Sequence, residues 1–535
     1  MRGFLGSVFA GMALVAALSG APAQASPVWS GYGGDPQHDA LSSVASQSLD
    51  RILWQTPVDQ APQFSGNDLL IHYGSPLVTQ ADTVIVPVKT GASGGFEVQA
   101  RSGADGSLKW SQTTDYILPP HNWTPSFSPT LTPANRLYLP GAGRTVYFRD
   151  NPDSPSGASG QISFLGNAHY AANAAALNSS VYINTPITSD NEGNVNFVYK
   201  LTGANPLGVQ SGVARISASG VGTYVSAAAA SGDSGLGQVA MNAAPALSAD
   251  GSTVYVAVNS GNFGRGSLVA LNSATLATTA VRQLKDPLTG QDSVVSDDGT
   301  ASPMVAPDGR VYFGVLESPF HTSKGWLLSF NADLTVSANR PAGGFGWDDT
   351  PSVVLTSMVP SYHGNAPYLL MSKYNNYAGT GGDGVNKLAI LDPTATMIDP
   401  RTGATVMNIV ESIAGPTPDL ASFPNLLNAV REWCINTAVV DPGTDSVLAN
   451  SEDGKLYRWN LGTNKLSQEI VLTPGIGEAY TPTIIGANGI VYAINNATLF
   501  AVGADSIPEP SALAVFGLAL FGLSGIHRLP MRRGL

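Results

Sequence analysis

The side chains best equipped to bind or react recur at one kind of position, just ahead of a small residue followed by proline or its equivalent. They are His72 and Tyr73, His121 to Trp123, Asn184, Asn242, Asp297 and Asp298, Trp347 to Asp349, Trp433 with Asn436, and Glu478 with Tyr480. Aromatic faces stack on pyranose rings, and carboxylate and amide oxygens are hard donors for a cation. Gathered in one place, this set would recognise a sugar or a cation. The plainer alternative is that Trp and Tyr plug an interior while Asp and Asn cap turns. The seven histidines (His38, His72, His121, His169, His321, His363, His527) show no metal-ligand spacing. No His-Glu-x-x-His, Gly-x-Ser-x-Gly or phosphate-binding glycine loop occurs. Asp190-Asn191-Glu192-Gly193-Asn194 and Asp297-Asp298-Gly299 lack the full ladder of a calcium loop and read as turns.

Composition limits what can position these residues. Of 535 residues, 12% are charged and 43% hydrophobic, with 59 Gly, 37 Pro and one Cys. A coiled coil or helical bundle needs more charge, and a disordered chain is poorer in apolar residues. A single cysteine, Cys434, excludes an intramolecular disulfide framework. The formal net charge of -12 argues against nucleic acid as a partner, because phosphate binding needs a basic face. A large, turn-rich, all-β body remains.

That body repeats. Ser75-Pro76, Ser128-Pro129, Thr185-Pro186, Ala244-Pro245, Ser302-Pro303, Thr350-Pro351 and Thr481-Pro482 each precede an extended apolar stretch, and Thr437-Ala438 holds the same place without proline. After most comes a turn and then a β-branched, aromatic run: Asp250-Gly251 leads into Val254-Tyr255-Val256, and Asp308-Gly309 into Val311-Tyr312-Phe313. Turn residues that tolerate positive φ between strands of high β-propensity are hairpin grammar. A third strand follows in most units and a fourth in some, such as Ser107-Leu108-Lys109-Trp110. Four strands per repeat of this length is the signature of a β-propeller blade.

Eight blades are expected, with seven as the alternative count. The last unit shows three strands, and Arg51-Ile52-Leu53-Trp54-Gln55 is expected to supply its outer strand and close the ring. One long interval holds a blade plus an insertion near 407–433, in which Phe423–Arg431 is expected to start a short helix. The residues ahead of each Ser/Thr-Pro step should then ring one mouth of the central channel. The candidate site is His72, Tyr73, His121, Trp123, Asn242, Asp298, Trp347, Asp348, Trp433, Asn436, Glu478 and Tyr480.

Two stretches carry a family resemblance. Trp29-Ser30-Gly31-Tyr32-Gly33-Gly34-Asp35-Pro36-Gln37-His38 resembles the opening of quinoprotein-like propellers. Ala100-Arg101-Ser102-Gly103-Ala104-Asp105-Gly106-Ser107-Leu108-Lys109-Trp110 is similar to their repeat, with Ser102 in place of the usual acid. The resemblance implies the propeller over about residues 29–503. For catalysis it implies a dehydrogenase holding pyrroloquinoline quinone on the axis against a Trp, with Ca²⁺ on carboxylate and amide oxygens and an Asp as base. Alcohol dehydrogenases of that family typically carry adjacent cysteines over the cofactor, a pair that Cys434 alone cannot make. No cofactor is therefore assigned, and the quinone and Ca²⁺ belong to the alternative reading only.

The two ends read as addresses. Met1-Arg2-Gly3, the apolar run Phe4 to Leu18 and the Ala23-Gln24-Ala25 site form a secretory signal peptide over 1–25, cut after Ala25. Residues 504–535 hold Pro508-Glu509-Pro510, an uncharged run Ala512 to Ile526, then Arg528, Arg532 and Arg533. That order resembles the PEP-CTERM sorting signal, whose implied reader is an exosortase-type membrane protease. The run is a short transmembrane segment, and the positive charge after it keeps that end cytoplasmic. The expected partners are the Sec translocon, signal peptidase, an exosortase and an exopolysaccharide. The expected destination, after transient anchoring in the inner membrane, is the cell surface or extracellular matrix. A binding or scaffold role is favoured over the oxidoreductase, with a carbohydrate-processing propeller as a third reading.

Overall fold

A computed structural model describes residues 26–504 apart from 66–67, 71–72, 122, 124–125, 204–206, 297–300, 319–323, 375, 379–381, 434 and 475–479. The leader with Ala23 and Ala25, and the tail with Pro508, Glu509, Pro510, Arg528, Arg532 and Arg533, lie outside the described residues. No helix among the described residues is long and apolar enough to cross a membrane.

Eight antiparallel sheets form an eight-bladed propeller. The recurring small-residue steps open every blade. Its innermost strand is Leu77–Val78 in blade 1, Thr130–Leu131 in blade 2, Thr188–Ser189 in blade 3 and Ala246–Leu247 in blade 4. Met304–Val305, Ser352–Val354, Val439–Asp441 and Ile484–Ile485 open blades 5 to 8. Proline suits the entry to such a strand, because its missing N–H falls outside the ladder. Second strands such as Thr83–Lys89 and Val491–Asn495 are buried along their whole length, since apolar side chains pack on both faces.

Arg51–Pro57 pairs antiparallel with Thr498–Gly503 and serves as the outer strand of blade 8, closing the ring as expected. Trp54 packs on Tyr492 (5.6 Å between centroids), and its indole donates to the carbonyl of Gly103 in blade 1 (2.8 Å). The closing strand thus stitches the last blade to the first.

The segment ahead of it follows the axis. Val28 donates to the carbonyl of Val78 (2.9 Å), Leu131 to that of Ser30 (2.7 Å), and Leu247 to that of Pro36 (2.8 Å). Val305 donates to Gln37 O (2.9 Å), Val353 to Asp39 O (2.8 Å), Val440 to Ala40 O (2.9 Å) and Gln47 to Gly489 O (2.7 Å). In chain order, residues 28–47 therefore touch blades 1, 2, 4, 5, 6, 7 and 8. Each such bond contributes roughly 0.5–1.5 kcal/mol net. Tyr32, buried at the centre, shares a hydrogen bond with the Thr350 hydroxyl (2.9 Å), and the wholly buried His38 packs edge-on against it. His38 Nδ1 meets the carbonyl of Pro303 at 2.8 Å, and burial holds its pKa down to about 4, so the ring is neutral at neutral pH.

Three parts of the fold differ from, or add to, the expected pattern. Phe423–Arg431 is not a helix. Pro424 has no N–H to give, and Asp419, Val430 and Arg431 donate instead to Ala429, Gly384 and Thr417, which holds the segment as linked turns. The outer strand of blade 6 runs from Thr405 to Ala414, so the excursion outside the sheet covers 415–433. Helix α1 (Asn167–Asn178), between blades 2 and 3, carries no sequence signature strong enough to announce it: its N-cap is Gly166, and its first turn holds no acid.

Gly33 sits at φ +65°, and a Cβ there would lie 2.7 Å from the Cα of His38. Gly33→Ala is expected to lower stability by about 2–4 kcal/mol, combining left-handed strain with displacement of the axial segment. The midpoint of denaturant unfolding checks this, and an unshifted midpoint would contradict the axial role.

Candidate functional site

The loops entering blades 6 and 7 bring charge to the channel mouth. Lys373 is the penultimate residue of the second strand of blade 6, Leu369–Tyr374, with its side chain only 1% exposed. Its ammonium lies 2.8 Å from Asp348 Oδ2 and 2.8 Å from Glu432 Oε1, and it also reaches the carbonyl of Trp433 at 3.4 Å. The Tyr377 hydroxyl donates to both carboxylates, at 3.2 Å to Asp348 and 2.8 Å to Glu432. Behind them, Asp349 Oδ2 accepts from the Ser372 hydroxyl (3.1 Å) and the Lys373 backbone N–H (3.2 Å). Glu452 accepts from the Glu432 backbone N–H at 3.0 Å and faces Arg431 at 3.6 Å.

Acids outnumber cations here, and burial raises the proton affinity of three of them. Burial, with the Asp348 charge beside it, pushes Asp349 up to about 7. Burial and Glu432 push Glu452 up to about 7, and burial raises Glu432 against the pull of Lys373. Burial alone would lower Lys373, yet Asp348, Glu432 and Asp349 together hold it well above the ordinary lysine value. The ammonium stays charged and its contacts stay neutralised.

Aromatic rings adjoin this cluster. The Lys373 ammonium lies 5.2 Å from the centre of the Tyr480 ring, which meets Trp123 edge-on at 5.7 Å. Asn436 donates its amide to the carbonyl of Tyr480. Around the ring, the left-handed Asn242 (φ 64°) accepts from Ser126 N at 2.7 Å and donates its own backbone N–H to Asn184 O at 2.9 Å. Several buried amide atoms find no partner in the protein: both polar atoms of Asn184, Nδ2 of Asn242 and Oδ1 of Asn436. Tyr32, bonded to Thr350 and 3.4 Å from the carbonyl of Asn436, lies beneath them as a floor.

Of the residues expected at the mouth, the structure brings together Asp348, Asn436, Tyr480 and Trp123, with the backbone of Trp433. The indole of Trp433 packs instead in the core, edge-on to Tyr457 at 5.5 Å. Tyr73 turns to a separate buried ion pair, where its hydroxyl donates to Asp59 (3.3 Å) and Lys89 holds the same carboxylate at 3.0 Å. Asn242 lines another sector with Asn184, and His121 lies half-buried on the loop of Trp123. Trp347 stands above blade 5, where a Cβ on Gly325 would lie 2.5 Å from its own Cβ. His72, Asp298 and Glu478 lie outside the described residues. Lys373, Glu432, Tyr377 and Glu452 were not anticipated. Only the apolar setting of Leu369-Leu370-Met371 ahead of Lys373 hints that this lysine is buried.

Asp190 behaves as a turn residue, since its Oδ1 accepts from Glu192 N (2.9 Å) and Asn194 N (2.8 Å). Among the described residues, no group of three or more His, Cys, Asp or Glu could hold a metal ion.

No protein-family model matches the chain, and no curated protein matches it. Among solved structures it is similar to the quinohemoprotein alcohol dehydrogenase of Comamonas testosteroni, with a TM-score of 0.52 and 12% identity over 90% of this chain and 81% of that one. A europium-containing methanol dehydrogenase matches at 0.49, with 11% identity over 87% of this chain and 89% of that one. BamB from Moraxella catarrhalis matches at 0.43, with 13% identity over 85% and 98%. At 12% identity the first likeness speaks for the propeller fold and leaves the chemistry open.

Asp349 gives the site a pH signature. Its folded pKa of about 7 lies above the roughly 3.9 of an unfolded aspartate, so the folded state holds an extra proton between those values. The stability this confers is complete below about pH 4 and is lost as pH rises through 7. An Asn can keep both hydrogen bonds through one oxygen and has no charge to gain. Relative to the parent, Asp349→Asn is expected to become more stable by roughly 1–3 kcal/mol between pH 5 and pH 8, read from urea midpoints at each pH. A difference that stays flat with pH would refute the assignment.

Proposed function

We propose that this chain is an exported β-propeller that binds carbohydrate at its channel mouth and acts at the cell surface or in the extracellular matrix. One observation carries the binding reading. The carboxylates of Asp348 and Glu432 both face Lys373, while Trp123 and Tyr480 offer aromatic faces beside them, with the amide of Asn436 on the carbonyl of Tyr480. That is the chemistry of a neutral, hydroxyl-rich ligand, since aromatic faces take the C–H side of a pyranose and amides take its hydroxyls. The leader 1–25 and the Pro508-Glu509-Pro510 tail support export and sorting by an exosortase-type protease.

The pyrroloquinoline quinone and Ca²⁺ alternative fits the described residues poorly. The Lys373 ammonium lies between Asp348 and Glu432, where a Ca²⁺ ion would need carboxylate oxygens free of a resident cation. Cys434, the single cysteine, cannot form the cysteine pair of the alcohol dehydrogenases.

Screening the mature protein on a glycan array is expected to give a restricted set of neutral or weakly acidic glycans. Trp123→Ala and Tyr480→Ala should each weaken binding at least tenfold without lowering the melting temperature. No binding to any glycan, or binding unchanged in both variants, would reject the mouth as the site.

Expression in a host that carries an exosortase should yield a chain beginning at Ser26 and lacking the tail, whereas a host without one should retain the tail. Intact-mass spectrometry separates these outcomes, and tail loss in both hosts would reject exosortase sorting.

A further inference from the structure

A second site lies on the flank of the ring, away from the mouth. Arg144 sits at the turn between the second and third strands of blade 2 and is 1% exposed. Its Nε and Nη2 are buried and meet no hydrogen-bond acceptor. The titratable groups that act on it are the phenols of Tyr199 and Tyr224, and among the described residues no carboxylate pairs with it. The ring of Phe164 lies 5.8 Å away, which compensates the charge only in part. A buried cation without a counter-charge costs several kcal/mol, and proteins rarely keep one unless something else balances it. The backbone at Arg144 is also in the left-handed region, at φ 80°, a conformation that costs a non-glycine residue about 1 kcal/mol or more.

Arg144 forms part of the wall of a cavity of about 340 Å³, together with His169, Tyr199, Tyr224 and Ser226. That volume falls within the range of small-molecule sites. His169 belongs to the first turn of α1, a 12-residue helix whose N-cap, Gly166, supplies no side-chain hydrogen bond and whose first turn carries no acid. The free N–H groups of such a turn carry roughly half a positive charge. Two independent sources of positive potential, a guanidinium and a helix N-terminus, therefore border one cavity. Tyr224, 54% exposed, contributes an aromatic side chain to its wall.

We infer that this cavity binds the carboxylate of a small ring-bearing acid, a hexuronate being the simplest example, with the Arg144 guanidinium in the wall supplying the counter-charge and Tyr224 packing on the ring. One arginine and one helix N-terminus supply about one and a half charges, which suits a monoanion better than a phosphate dianion. This inference is independent of glycan binding at the mouth.

Isothermal titration of the mature chain with sodium glucuronate, glucose and inorganic phosphate tests it. Glucuronate is expected to bind at one site, glucose at this site not at all, and phosphate at least tenfold more weakly. Arg144→Met, which keeps the volume and removes the charge, should abolish glucuronate binding. Should that variant fail to fold, Tyr224→Ala, at an exposed position, is expected to weaken glucuronate at least threefold. Trp123→Ala should leave this binding unchanged, which separates the flank from the mouth. The inference is overturned by absence of glucuronate binding to the parent, by stronger binding of phosphate, or by glucuronate affinity that survives Arg144→Met or Tyr224→Ala.

Discussion

The structure depends on a strip of backbone about twenty residues long laid along the propeller axis. The innermost strands are two or three residues long, too short to hold eight blades in register through their own ladders. Residues 28–47 supply what those strands lack, because Val78, Leu131, Leu247, Val305, Val353 and Val440 each form a backbone hydrogen bond to this one segment. Eight blades also leave a wider axis than side chains from the inner strands can fill, and Tyr32 and His38 occupy it from the segment itself. Gly33 and Gly34, at φ +65° and +93°, are where the strip turns tightly enough to pass beneath the ring of Trp29.

The strip meets the mouth cluster through Tyr32, which shares a hydrogen bond with Thr350 and lies 3.4 Å from the carbonyl of Asn436. The buried charges around Lys373 are held away from water, so they must satisfy each other, and Lys373 joins the loops of blades 6 and 7 through two carboxylates and one phenol. The network gathers Asp348, Glu432 and Tyr377 around one ammonium, beside the rings of Tyr480 and Trp123. Arg144 contrasts with this. It is equally buried, yet among the described residues no carboxylate balances its charge.

Much of the fold was legible because it repeats. Each Ser/Thr-Pro step marks an inner strand, and the Asp-Gly and Asn-Gly turns mark the hairpins that follow, for local chemical reasons that do not depend on distant partners. The missing fourth strand of blade 8 could be found by counting, and Arg51–Pro57 fills it. The candidate site was legible only in part. Asp348 and Asn436 stand where the repeat places them, but Lys373 lies in a strand whose neighbours read as plain apolar sequence, and its partner Glu432 is 59 positions away. Trp433 misled in the opposite sense: its position predicts the mouth, whereas packing against Tyr457 turns its indole into the core. Arg144 offered only the cluster Gly141-Ala142-Gly143 before it, which signals an unusual backbone but says nothing of burial.

The axial strip and the closing strand also set an order of events. Both precede every blade in chain order, yet their last partners are among the final residues of the body. Gln47 bonds Ala504 across 457 positions, and Arg51 pairs with Gly503. Contacts of such separation carry a high loop-closure cost and form late. Until blade 8 exists, the N-terminal segment has gained at most some of its partners, and Arg51–Pro57 has no strand to pair with. The ring therefore becomes complete only when the whole body, from Val28 to Ala504, is available to fold at once.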